Sequence, residues 1–263
     1  MRIWYQSAVE MNSASNYSEA LNAHFARVAD PGTQVDLHGV EAGTWAGQQP
    51  SQLLEYPAIF HVALGGAFLR NAVRAEREGY DAFIIGTYIE PYLRELRSAV
   101  DIPVVSSLET MLLVGCSTAH TVGLITLNQK LLWSIRTSIE RHRLGARVGP
   151  VLVMDPALNE HELTSLFAAP EAYLGRFVET AKHAVAAHAD AIIPAEAILA
   201  EIVAANGIHE VDGATVMDGI GIPVAYAEML VKLWRSTGLR AGRRWHQPRP
   251  PPEMLDLFVA RLG

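Results

Sequence analysis

Short runs of β-branched and aliphatic residues alternate along the chain with longer stretches in which apolar residues recur every three or four positions. The short runs Arg2–Gln6, Gln34–Leu37, Ala82–Ile85, Pro103–Val105, Val122–Leu127, Val151–Met154, Ala191–Ile193 and Ile222–Ala225 predict strands. The longer spacing predicts helices over Ala63–Glu78, Leu108–Thr118, Gln129–Leu144, Pro170–His188, Ala197–Ala205 and Ala227–Thr237, with Gly79 and Gly145 placed as C-caps. The basic, proline-rich stretch Arg240–Pro252 reads as an extended surface linker, or alternatively a lid or subunit contact, before a last helix over Glu253–Leu262. Strand and helix in alternation predict an α/β fold with mostly parallel sheets. In such folds ligands bind beyond the carboxyl ends of the strands, so the residues just after each strand carry the functional interest.

The chain also repeats itself weakly. Asp81-Ala-Phe-Ile-Ile-Gly-Thr-Tyr-Ile-Glu90 echoes Asp190-Ala-Ile-Ile-Pro-Ala-Glu-Ala-Ile-Leu199, and Ile102-Pro-Val-Val-Ser-Ser-Leu-Glu-Thr-Met-Leu112 echoes Ile222-Pro-Val-Ala-Tyr-Ala-Glu-Met-Leu230 with a one-residue slip. Two pseudo-symmetric α/β lobes, each a mostly parallel sheet flanked by helices, explain this. The first lobe is expected over residues 1–116, completed by 227–263, and the second over 117–226. Thr87 and Glu196 each stand six residues after the aligned aspartates Asp81 and Asp190. If the lobes face each other, these two side chains flank one cleft.

Composition narrows the chemistry. Of 263 residues, 50% are hydrophobic and 19% charged, which suits packed domains rather than disorder. A net charge of −7 provides no basic field for nucleic acid, and no window approaches a membrane span or a signal peptide, so a cytoplasmic protein is expected. A single cysteine, Cys116, rules out an intrachain disulfide, a cysteine zinc site and a catalytic thiol pair. Its position at a helix end suits a core thiol. The ten histidines form no metal-binding spacing, with His61 and His120 the two to compare with the cleft. Gly65-Gly66 belongs to no nucleotide-binding motif, so no cofactor is called for.

The segment Asp81 to Pro91, the segment Asp190 to Ala197, Pro103-Val-Val, Val122-Gly-Leu-Ile-Thr126 and Met217-Asp-Gly-Ile-Gly-Ile-Pro-Val224 together resemble the aspartate/glutamate racemase superfamily, most closely its hydantoin racemase branch. The resemblance covers roughly Ala63 to Leu230, and it implies a cleft active site between two lobes, a small-molecule substrate and a homo-oligomer. In that family's racemases two cysteines stand on opposite faces of the substrate and exchange its proton. Here those positions are Thr87 and Glu196. A threonine hydroxyl is far too weak an acid to take the thiol's part, so symmetric thiol chemistry is excluded.

The arrangement left is asymmetric. Glu196, its pKa raised by partial burial, is the expected general acid/base, and Thr87 the contact for a developing oxyanion or a carboxylate. The expected function is a cofactor-independent isomerase or lyase acting on a small carboxylate or cyclic amide. A hydrolase opening a cyclic imide or hydantoin-like ring, and a noncatalytic ligand-binding protein, remain open. So does the reading of Glu196 as a carboxylate at a helix N-terminus and of Thr87 as an N-cap. Further expected substrate contacts are Tyr88 and Glu90 beside Thr87, Ala195 beside Glu196, Gln6 and Ser7 after the first strand, Ser106 and Ser107 after the Pro103 strand, and Thr126 after the Val122 strand. Gln6 and Ser7 depart from the asparagine-rich segment that the family carries there. The loop Ala8–Tyr17, with Glu10, Asn12, Ser13, Ser15 and Asn16, is placed to cover the mouth.

Overall fold

The computed structural model describes residues 1–11, 15–48, 50–53, 56–158 and 166–261. Asn12, Ser13 and Leu262 therefore lie outside the described residues. The first lobe runs β1 (Arg2–Gln6), α1 (Ser15–Val28), β2 (Gln34–His38), α2 (Pro50–Leu53), α3 (Pro57–Arg77), β3 (Ala82–Ile85), α4 (Leu93–Ala99), β4 (Val104–Ser106) and α5 (Ser107–Thr118). The second runs β5 (Val122–Thr126), α6 (Gln129–His142), β6 (Val148–Val153), α7 (Glu171–Ala186), β7 (Ala191–Pro194), α8 (Ala197–Ala205), β8 (Glu210–Val211) and β9 (Ala214–Val216). Two helices follow, α9 (Gly221–Thr237) and α10 (Pro252–Val259).

Two sheets result, ordered β2-β1-β3-β4 and β6-β5-β7-β9-β8. All pairings are parallel except β8 with β9. Strand for strand, β2-β1-β3-β4 matches β6-β5-β7-β9, so the fold is α/β with two pseudo-symmetric lobes. Both faces of the first sheet are buried, which is why its strands read as continuous apolar runs. Ile3, Tyr5 and Ile84 point into a core shared with the second lobe, while Trp4, Phe83 and Ile85 pack on the other side against Leu64 and Phe68 of α3. Each lobe lends a helix to the other. From the first, α5 lies against β5 and β7 of the second sheet; α9, which follows the second sheet, lies against β3, β4 and α1.

Several expectations need correction. Ile222–Ala225 is the first turn of α9 rather than a strand, since Pro223 within the opening turn removes no helical hydrogen bond. The true counterpart of β4 is β9, so the second half of the repeat aligns a strand with a helix. α6 closes on Arg143 in the left-handed region (φ 57°), not on Gly145, which opens a 3-10 turn. Gly79 does follow the end of α3, at φ 78°. The helices α1 and α4 and the strands β8 and β9 are not among the predicted elements. No helix among the described residues is long and apolar enough to cross a membrane.

Candidate active site

The loops after β3 and β7 meet between the lobes. There Ser7, Tyr17, Thr87, Tyr88, Ala195 and Glu196 line one cavity of about 60 Å³, several times the space a single water requires. Phe60, Ile89, Leu127 and Leu131 supply apolar wall. The two repeat-matched positions, Thr87 and Glu196, thus face the same space. Glu196 is the N-cap of α8, and its Oε2 accepts a hydrogen bond from the Leu199 amide at 2.8 Å. That bond fixes the carboxylate's orientation at the cavity wall, so capping and wall-lining belong to one side chain.

Four phenols lie within electrostatic reach of this carboxylate, and two of them, Tyr17 and Tyr88, share its cavity wall. Tyr5, Tyr17, Tyr88 and Tyr173 are almost wholly buried, and each feels the charge of Glu196. Burial first, and the nearby negative groups second, push all four above the ordinary tyrosine range, so they stay protonated at neutral pH. None of the four hydroxyls has a hydrogen-bond partner among the described residues. A buried hydroxyl left unpartnered costs about 1–3 kcal/mol, and a ligand presenting oxygen acceptors to Tyr17 or Tyr88 would recover part of that. Among the described wall residues Glu196 is the one formal charge, and no lysine, arginine or histidine is present.

Close packing holds the loops in place. A methyl group on Gly86, just before Thr87, would collide with the Tyr5 ring, and one on Gly219 would collide with the Tyr88 hydroxyl. Gly86→Ala should therefore destabilise the protein by about 1–3 kcal/mol, read as a lower midpoint in urea, because the buried ring has no room to retreat.

Five other expected contacts lie away from the cavity wall. The Gln6 side chain is saturated: Nε2 donates to the Ser7 and Gly39 carbonyls at 2.9 and 3.0 Å, and Oε1 accepts from Trp4 Nε1 at 3.0 Å and Asn71 Nδ2 at 2.9 Å. Ser107 Oγ donates to the Ile85 carbonyl at 2.9 Å. Thr126 is fully buried, its hydroxyl without a partner among the described residues, and is not on the wall. Glu90, fully buried at φ 51°, accepts from Ser106 Oγ, from the Glu109 amide at 3.1 Å and from His142 Nε2 at 2.7 Å. Ser106 also caps α5. Burial alone would raise the Glu90 carboxyl, but these partners outweigh it and hold it below its usual range. Glu90 and Ser106 thus tie the first lobe to α6 of the second. Glu90 and His142 line a groove of about 830 Å³, which shares Phe60 and Ile89 with the cavity.

Of the two histidines singled out, His61 lies on that groove, and His120 is exposed at the opposite end of β5. Cys116 is on α5, away from the wall. Sequence patterning missed Tyr17, because the residues around it were read as a loop although Tyr17, Leu21, His24 and Phe25 keep helical spacing. It also missed Phe60, which precedes the predicted start of α3.

Comparison with known proteins agrees with this architecture. An allantoin racemase from Klebsiella pneumoniae superposes with a TM-score of 0.75 at 18% identity, covering 95% of this chain and 94% of that one. An allantoin racemase from Pseudomonas fluorescens gives 0.74 at 21% identity, covering 96% and 98%. Both likenesses speak for the fold. A hydantoin racemase from Pseudomonas sp. (strain NS671) is 26% identical over 165 residues, 62% of this chain, and the match spans 64% of the relative's length, just under two thirds. The family model described as Asp/Glu/Hydantoin racemase matches residues 9–227. With most of its length matched and the paired-lobe architecture in place, the chain belongs to the Asp/Glu/Hydantoin racemase family.

Proposed function

We propose that this chain is an isomerase-type enzyme that moves a carbon-bound proton on a small amide or carboxylate, without two-thiol chemistry. The observation that carries this reading is the placement of Thr87 and Glu196, equivalent positions of the two lobes, on the wall of one cavity. Glu196 is the base. The substrate C–H bond breaks as an O–H bond forms on the carboxylate, and the electron pair moves onto the adjacent carbonyl oxygen. Thr87 and the neutral phenols of Tyr17 and Tyr88 are the donors available to that oxygen. The planar enolate then turns its other face to the protonated Glu196, the electron pair returns from oxygen to carbon, and the O–H bond breaks as the new C–H bond forms with inverted configuration.

A cyclic amide suits the wall, because its carbonyl oxygens can accept from the neutral phenols of Tyr17 and Tyr88. The test is incubation of single enantiomers of 5-methylhydantoin and allantoin in heavy water, followed by mass spectrometry and chiral separation. Enzyme-dependent deuterium at the ring carbon is expected. No deuterium on carbon, with a ring-opened product that gains oxygen-18 in a parallel incubation in oxygen-18 water, would replace this reading with hydrolysis.

A further inference from the structure

Beneath the cavity lies a buried charged cluster outside the wall itself. His24 of α1 has a fully buried side chain, with Nδ1 2.7 Å from Glu201 Oε2 on α8 and Nε2 2.8 Å from Asp218 Oδ2 ahead of α9. Asp218 Oδ1 accepts from the Ile220 and Gly221 amides at 3.0 and 2.8 Å, so the same carboxylate holds the start of α9. A neutral imidazole has one donor and one lone pair and can satisfy a carboxylate at only one nitrogen. Only the imidazolium donates at both. The arrangement is also not that of a metal site, since one ring spends both nitrogens on different carboxylates, and no metal-binding group of three occurs among the described residues.

The placement along the helices gives the cluster its consequence. His24 is seven residues after Tyr17 on α1, two turns along the same face, and Glu201 is five residues after Glu196 on α8. We propose that His24 is a positioning residue whose imidazolium clamps α1 to α8 and to the start of α9, and so holds Tyr17 and Glu196 in place on the shared cavity wall. The consequence for catalysis rests on Glu196 being the base.

The groups facing the cluster are few. Among the described residues, Tyr5 of β1, Tyr17 and Tyr88 feel its carboxylates and remain neutral phenols, while on α9 Glu228 accepts from the Asp30 amide at 2.9 Å and Lys232 pairs with Asp30. Burial disfavours charge on His24, but the hydrogen bonds to Asp218 and Glu201 prevail and carry its pKa up to about 9. A folded value above the unfolded one means that this stabilisation is complete below about pH 6.5 and is lost as pH rises through about 9. The clamp therefore predicts an alkaline fall in kcat as pH rises through about 9.

Two readouts test this. Nitrogen-15 NMR of the histidine-labelled full chain should show the His24 ring protonated at both nitrogens at pH 7.5 and titrating near pH 9; a neutral ring at pH 7.5 overturns the proposal. In the heavy-water exchange assay with 5-methylhydantoin or allantoin, a folded His24→Gln variant should lose at least about tenfold in kcat, with KM less affected, and lose the alkaline limb. An unchanged kcat and profile overturn it. If His24→Gln does not fold, Asp218→Asn serves instead. It should move the alkaline limb and the ring titration to lower pH, and no movement overturns the clamp. If neither compound turns over, the ring titration in the wild-type and Asp218→Asn proteins decides alone. Full activity in Glu196→Gln alongside a doubly protonated His24 would remove the proposed base while leaving the clamp standing, so the two ideas fail separately.

Discussion

Glu196→Gln should lower the rate of carbon-bound proton exchange by about 10²–10⁴-fold while leaving the fold intact. The amide oxygen of glutamine can still accept the Leu199 hydrogen bond, so the cap on α8 survives in weaker form. What disappears is a carboxylate able to take a proton. A residue serving only as a cap would show a small change in melting temperature and no change in turnover, so the comparison of kcat with thermal stability separates the two roles. Thr87→Val is expected to cost less, because Tyr17 and Tyr88 still line the cavity as donors. Steady-state deuterium incorporation, measured for both variants under the same conditions, reads the difference directly.

The largest expected effect on stability falls at Glu90. Glu90→Ala should cost about 3–5 kcal/mol, because it strips partners from Ser106 Oγ, the Glu109 amide and His142 at once inside the protein. Urea denaturation of both proteins at pH 7 measures it. The sign of the pH dependence follows from the lowered carboxyl. Its contribution is present above the ordinary glutamate pKa of about 4.3 and is lost as pH falls through the lower folded value. The gap between wild type and variant should therefore close on acidification. A gap that stays constant from pH 7 into the acid range would show that ionisation of Glu90 contributes nothing to stability.

The placement of Thr87 and Glu196 was readable from sequence because β3 and β7 are buried on both faces, leaving uninterrupted apolar runs whose ends are sharp. The same logic failed at Ile222–Ala225, where a β-branched residue, a proline and two more apolar residues fit a strand as well as a helix start; only the packing of α9 on the first lobe decides between them. β9 escaped notice because its three residues alternate, with Thr215 exposed between buried Ala214 and Val216. α1 was hidden because His24 occupies a core position on its buried face, and a polar residue there interrupts the apolar stripe that marks a helix. Glu90 and Ser106 were expected as substrate contacts because they follow strands, and a sequence cannot show that they pair with each other, with the start of α5 and with His142.

The exchanged helices set a condition on how this protein can come apart. A chain cut near residue 119 would leave the first fragment without α9, which covers β3 and β4, and the second without α5, which covers β5 and β7. Each fragment would expose a sheet face built for a helix it no longer carries, so neither should be soluble when expressed alone. Co-expression should restore both, each fragment completing the other. By the same connection, rigid-body opening of the cleft has little freedom, because separating the sheets drags each lobe's helix off its neighbour. Access to the cavity is then a matter of local movement at its apolar rim, at Phe60 and Ile89.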